Sequence, residues 1–157
     1  MHDQLVERYA AGAAQPAQAI AGLTTEQLNA FPVPGTWSIQ QIVIHLMDSD
    51  LIGADRMKRV AAEQRPPTLL GYDESSFAQN LFYDQLDPHM ACEVFEKNRL
   101  LTAEILRRLP EEAFARVGDH NEHGRLSLAE FVKDYADHLD HHLKFIRQKR
   151  ELPGCAL

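Results

Sequence analysis

The sequence predicts an all-α fold, a single antiparallel four-helix bundle spanning residues 1–157. Three observations carry that expectation. Four long segments repeat apolar residues at three- to four-residue steps, capping signals mark the helix starts, and no stretch shows the period-2 alternation of a strand. A chain of 157 residues that is 45% hydrophobic suits one domain with a sizeable core. Four such helices joined by short elements pack most simply as a bundle, an architecture that builds metal and ligand sites between facing helices.

The first helical segment runs from about His2 to Ala21, with Leu5, Tyr9, Ala13 and Ile20 on one stripe and Pro16 inside it as a potential kink. Thr24 with Gln27 three residues on is a capping box for a short turn of helix before Leu28. The breaker cluster Phe31-Pro32-Val33-Pro34-Gly35 follows. Ser38 with Gln41 is a second capping box, preceded by an apolar Trp37, and opens a helix that runs to about Glu63 and stops before Pro66-Pro67. Residues 68–87 are irregular, with a short helix around Glu74–Leu81. The third long helix covers roughly Pro88–Leu109, and Pro110-Glu111-Glu112 begins another short one. Residues 118–125 (GDHNEHGR) read as a polar loop. Ser127 with Glu130, a third capping box, starts the last helix, which runs to about Arg150 and is closed by Pro153-Gly154.

Charge and composition narrow the function classes. The net charge is −7 and the pI about 5.6. An acidic surface disfavours nucleic acid and anionic membranes, both of which call for basic side chains. No apolar run is long enough for a bilayer, and the N-terminus lacks the apolar region of a signal peptide, so a cytoplasmic location is expected. Cys92 and Cys155 form no CxxC pair; Cys92 reads as a small core residue and Cys155 as an exposed free thiol. Eight histidines are the compositional oddity, and five of them fall within His120–His142.

The chemistry concentrates in His138-Leu139-Asp140-His141-His142. On a helical wheel that takes Phe131 as zero, the apolar stripe lies at about 40–80°, with His142 near ~20° and His138 near ~−20°. His141 falls towards the flank. Two imidazoles four residues apart share a face, and that spacing suits two bonds to one metal ion. Imidazoles on a buried face need partners in any case; satisfied core histidines are the alternative. A third ligand candidate is His45, although with Ile39 at zero it lies about 120° from the stripe of Ile42, Val43, Leu46 and Met57, and by periodicity it reads as a surface histidine. The same wheel puts Asp50 inside the apolar stripe, where a carboxylate demands a cation, a metal or a histidine as partner. Asp48 reads as a solvated helix charge.

Trp37-Ser38, His45 seven residues after the serine, then Asp48, and a late His138-x-x-x-His142 pair together resemble the DinB-like superfamily. WSIQQIVIHLMDSD (37–50), GYDESSFA (71–78) and DYADHLDHHLKFI (134–146) are similar to its bacillithiol-transferase-like branch, also described as metal-dependent hydrolases. The resemblance implies an antiparallel four-helix bundle, commonly a homodimer. It also implies a divalent metal, zinc or nickel before others, held by His45, His138 and His142. A low-molecular-weight thiol is implied as a cosubstrate. The activity implied is thiol S-transfer to a small-molecule electrophile, or hydrolysis. On chemical grounds Asp50 or Asp48 is expected to orient a ligand histidine or act as general base. In that branch the position of Asp50 is often histidine, so this chain departs from the pattern there. Tyr72-Asp73-Glu74 matches a loop motif of the branch, with helix capping and pocket lining both open to it. A non-enzymatic metal- or ligand-binding stress protein and a purely structural helical dimer share the same bundle. A closed coordination sphere would mark the first, and a metal-free protein indifferent to chelator the second.

Overall fold

The computed structural model describes residues 2–154. Its long helices are α1 (His2–Ala11), α4 (Ile39–Ala62), α6 (Pro88–Arg107) and α7 (Leu128–Arg150), with short helices α2 (Gln15–Ile20), α3 (Thr25–Asn29) and α5 (Glu74–Asn80) and a 3-10 turn over Glu111–Ala115. The helix starts lie where the capping signals put them. The Ser38 side chain accepts the Gln41 N–H at 3.2 Å, while Gln41 Oε1 accepts the Ser38 N–H at 3.0 Å. Ser127 and Glu130 exchange the same two bonds at 3.2 and 2.7 Å. Each box satisfies two backbone groups that a helix end leaves without partners.

The first segment is not one kinked helix. It breaks at Gly12–Ala14, and Pro16 sits in the first turn of α2, where its missing N–H costs nothing. The break has a packing cause as well. A Cβ on Gly12 would collide with Leu139 and with the guanidinium of Arg99. Only a glycine lets the chain pass this close to α6 and α7.

Helices α1 and α4 each pack against both α6 and α7, so the order around the bundle is α1, α6, α4, α7. Two apolar clusters fill it. One joins Ile20, Leu28, Ile39, Val43, Leu46, Phe95, Leu139, Leu143 and Ile146. The other joins Val6, Tyr9, Met57, Val60, Leu106, Phe114, Leu128 and Phe131. Cys92 is buried in the first cluster, as expected of a small core residue; Cys155 lies outside the described residues.

The expectation of no strands is corrected. Thr68–Leu69 (β1), Val117–His120 (β2) and Gly124–Ser127 (β3) form a small sheet in the order β1-β2-β3. β1 runs parallel to β2, and β2 and β3 pair as an antiparallel hairpin from Val117↔Ser127 to His120↔Gly124. The segment read as a polar loop is thus this hairpin. Its turn closes on Gly124 at φ +75°, backbone that favours glycine. Asn121 Oδ1 accepts the Gly71 N–H at 2.7 Å, tying the hairpin to the chain before α5.

A candidate metal centre between two helices

His45 comes from α4, and His138 and His142 from α7. Their Nε2 atoms converge: His45 to His138 is 3.1 Å and His142 to His138 is 3.0 Å. His45 is fully buried, so the surface position suggested by its wheel angle is corrected. The first turns of α4 are covered from several sides, by α3, α5, α6 and α7 together, and a single stripe underestimates what such a helix buries.

Hydrogen bonding alone does not account for this convergence. A neutral imidazole nitrogen either donates one N–H or accepts on one lone pair. His138 Nε2 stands in both contacts, so it cannot serve each with a well-directed bond of its own. A cation on the three lone pairs satisfies all of them. Nitrogens bound to one ion at the roughly 2.0–2.1 Å typical of zinc stand about 3.3 Å apart in a tetrahedron, close to the spacing here. Protonation does not compete near neutrality. Burial pushes the imidazoles of His45 and His138 down to about 3, and that of His142 to about 4, with the neighbouring rings adding to the effect. The donor set therefore fits a divalent ion. The second ring nitrogen of His45, Nδ1, is buried without a partner among the described residues, and the Trp37 ring lies tilted over this imidazole at 4.9 Å. His141 is exposed, edge-on to Phe145.

Asp50 does not join the histidines. Its Oδ1 takes Nε of Arg99 at 2.9 Å and Nη2 at 2.8 Å, and its Oδ2 takes Asn98 at 2.7 Å. The Tyr9 hydroxyl adds a longer contact at 3.4 Å. Burial raises this carboxyl above its ordinary range, while Arg99 and the other donors oppose the rise. The partner the sequence demanded is thus a cation from α6, and this replaces the expectation that Asp50 orients a ligand or acts as a base. Asp48 is no solvated charge either: its Oδ2 accepts the Tyr83 hydroxyl at 2.6 Å.

Two clefts reach the rings. An apolar one of about 350 Å³ lies between Trp37, Ile42, Phe145 and Leu152 and touches His142. A polar one of about 180 Å³ lies against His138, walled by Tyr135, Arg56, His120 and Tyr72. Arg56 donates to the Tyr135 hydroxyl at 2.8 Å and to the Leu70 carbonyl. Of the Tyr72-Asp73-Glu74 motif, Asp73 caps α5 through the Ser76 N–H at 2.9 Å, while Tyr72 and Glu74 line the polar cleft, so both functions open to the motif are realised. Arg56, His120 and Tyr135 went unassigned in the sequence. The cluster of histidines from His120 onward was the one signal pointing at any of them.

A family model described as the DinB superfamily matches residues 9–146. The chain belongs to the DinB superfamily. Among relatives, a protein from Oceanobacillus iheyensis is 29% identical over 127 residues, covering 81% of this chain and 73% of its own length. One from Bacillus licheniformis is 28% identical over 137 residues, covering 87% and 77%. Both carry the name of a proposed metal-dependent hydrolase. Among solved structures, YfiT from Bacillus subtilis superposes with a TM-score of 0.87 at 24% identity, over 95% of this chain and 85% of that one. It is described as having an unusual four-helix bundle topology. The mycothiol-dependent maleylpyruvate isomerase superposes at 0.72 and 10% identity, over 92% and 60%. These likenesses establish the DinB bundle as the fold. No helix among the described residues is long and apolar enough to cross a membrane.

Proposed function

We propose that this protein is a metal-dependent enzyme of the DinB type that activates water or a low-molecular-weight thiol for attack on a small substrate. The observation that carries the proposal is the convergence of three neutral imidazoles, His45 buried and His138 and His142 half-buried, with Nε2 atoms at 3.0–3.1 Å beside two open clefts. His45, His138 and His142 would hold the ion. When bound, a divalent cation with open positions supplies the Lewis acidity that makes a water or thiol a nucleophile near neutral pH. The chain's own residues do the rest. Burial keeps the three imidazoles unprotonated and available. Arg56 holds the Tyr135 hydroxyl as an acceptor, which leaves the phenol proton for an acceptor in the polar cleft. The apolar cleft between Trp37 and Phe145 gives the His142 side a hydrophobic wall. The relatives named as metal-dependent hydrolases support the hydrolytic branch, and the mycothiol-dependent neighbour supports the thiol branch.

Clefts that reach His138 and His142 favour an enzyme over a closed binding site, whose coordination sphere would be filled by protein. The homodimer implied by the family resemblance belongs to the same proposal, and light scattering of the purified protein reads it directly. The decisive test loads the protein with zinc, nickel or manganese and assays thiol conjugation and ester or amide hydrolysis. The expected result is one ion per chain after dialysis and turnover in one assay class, abolished in His138→Ala. Absence of turnover with every metal in both classes defeats the enzymatic reading.

A further inference from the structure

His120 holds a buried polar atom that the metal centre does not explain. It ends β2, where the hairpin turns, and is 5% exposed. Its Nδ1 accepts two backbone N–H groups, from Glu122 at 3.2 Å and from His123 at 3.3 Å. A ring nitrogen that accepts carries no hydrogen, so the proton of the neutral ring sits on Nε2. Burial, with the nearby charge of Arg56, holds this imidazole below its ordinary range and keeps it neutral. Nε2 is therefore a buried N–H donor, and it has no partner among the described residues. A buried donor without an acceptor is costly and calls for an explanation.

The location supplies one. His120 lines the polar cleft whose wall includes His138, and its neighbours there are donors too. The Tyr135 hydroxyl is free to donate, and Arg56 adds positive charge. Glu74 and Asp134 also border the cleft; partial burial raises both carboxyls above their ordinary range, and neither accepts from His120 Nε2. About 180 Å³ is room for a fragment the size of roughly six waters. Glu122 and His123 stand near enough to His120 to suggest a second cation site, but two amides already occupy Nδ1, Nε2 carries a hydrogen, and the other two side chains are exposed.

We propose that the Nε2–H of His120 anchors a carbonyl-type oxygen of the substrate, from a carboxylate or an amide, beside the three-histidine centre. The consequence for catalysis rests on the metal-dependent reading above; the anchoring itself needs no metal.

The test follows the imidazole signals of His120 by NMR in the intact protein, once stripped with chelator and once loaded with zinc, while propionate or propionamide is added. The expected result is a proton on Nε2 whose signal shifts saturably with at least one probe in both forms. A response to propionate alone assigns a carboxylate, and a response to propionamide a neutral carbonyl. His120→Phe keeps a ring and removes the donor; probe affinity is expected to fall about tenfold, the worth of one hydrogen bond, with zinc affinity unchanged. A proton on Nδ1, a His120 signal that stays still at probe saturation, or no saturable response to either probe overturns the anchor. So does probe binding that requires zinc and is equal in His120→Phe, a result that would leave the metal centre standing. Failure to bind zinc with the His120 response intact would instead defeat the metal centre and leave the anchor standing.

Discussion

Two polar clusters interrupt the core of this bundle, and they are built in opposite ways. Around Asp50 and Arg99 both charged groups have found partners. The guanidinium binds Asp50, the Tyr135 carbonyl at 3.0 Å and the Tyr9 carbonyl at 3.4 Å, and lies over the rings of Tyr9 and Phe95. Those residues come from α1, α4, α6 and α7, so one ion pair ties all four long helices. Around His45, His138 and His142 the reverse holds. Three nitrogens crowd together, His138 Nε2 cannot serve both of its neighbours, and His45 Nδ1 is left over. A satisfied buried network stabilises one packing arrangement, whereas an unsatisfied one is tolerated where something else completes it. The contrast separates a structural cluster from the candidate metal site in the same core.

The largest expected effect falls on the satisfied cluster. Arg99→Met strands a buried carboxylate and should lower unfolding free energy by about 3–5 kcal/mol in urea titration, with most of the loss recovered in Asp50→Leu/Arg99→Met. A small loss in the single variant would mean that the pair does not hold the helices together. The histidine cluster should respond to metal instead. Zinc at about 100-fold above its dissociation constant should stabilise the protein by roughly 2.7 kcal/mol, reversibly with chelator. His138→Ala should remove that response, weakening zinc by more than the roughly 10–100-fold that losing an outer hydrogen-bond partner costs. Equal stabilisation of wild type and His138→Ala would place the ion elsewhere.

Gly53 probes the seam between the clusters. A Cβ there would meet the Tyr135 ring within about 2.5–2.7 Å, and Tyr135 serves Arg99 through its carbonyl and Arg56 through its hydroxyl. Gly53→Ala should cost about 1–3 kcal/mol by overpacking, read from the denaturation midpoint. The gentlest probe is pH. Without metal, the unfolded chain protonates its histidines near 6.5, but the folded rings resist until about 3–4. The unfolded state therefore binds more protons in between, and stability in chelator should decline as pH falls below about 6.5. A flat profile from pH 7 to 5 would show that the rings are solvated.

The long helices, their caps and the histidine pair on α7 are legible because each depends on local pattern. Ser38 with Gln41 and Ser127 with Glu130 are signals a few residues wide, and an i, i+4 histidine pair needs only helical geometry. What escaped depends on neighbours distant in sequence. The burial of His45 depends on helices packed around the start of α4. The partner of Asp50 lies 49 positions away on another helix. The β2–β3 hairpin defeats alternation outright, since its inward positions are Gly118 and His120 while the half-exposed ones are Val117 and Asp119. Hydrophobic alternation cannot find a strand whose inward side chain is polar and placed for a cleft.

The two clefts reach different rings, one at His142 and one at His138. On the proposed function, a greasy reactant and a polar one would have separate doorways to a common centre. Neither has to leave before the other enters, so steady-state kinetics with two substrates should give intersecting rather than parallel lines.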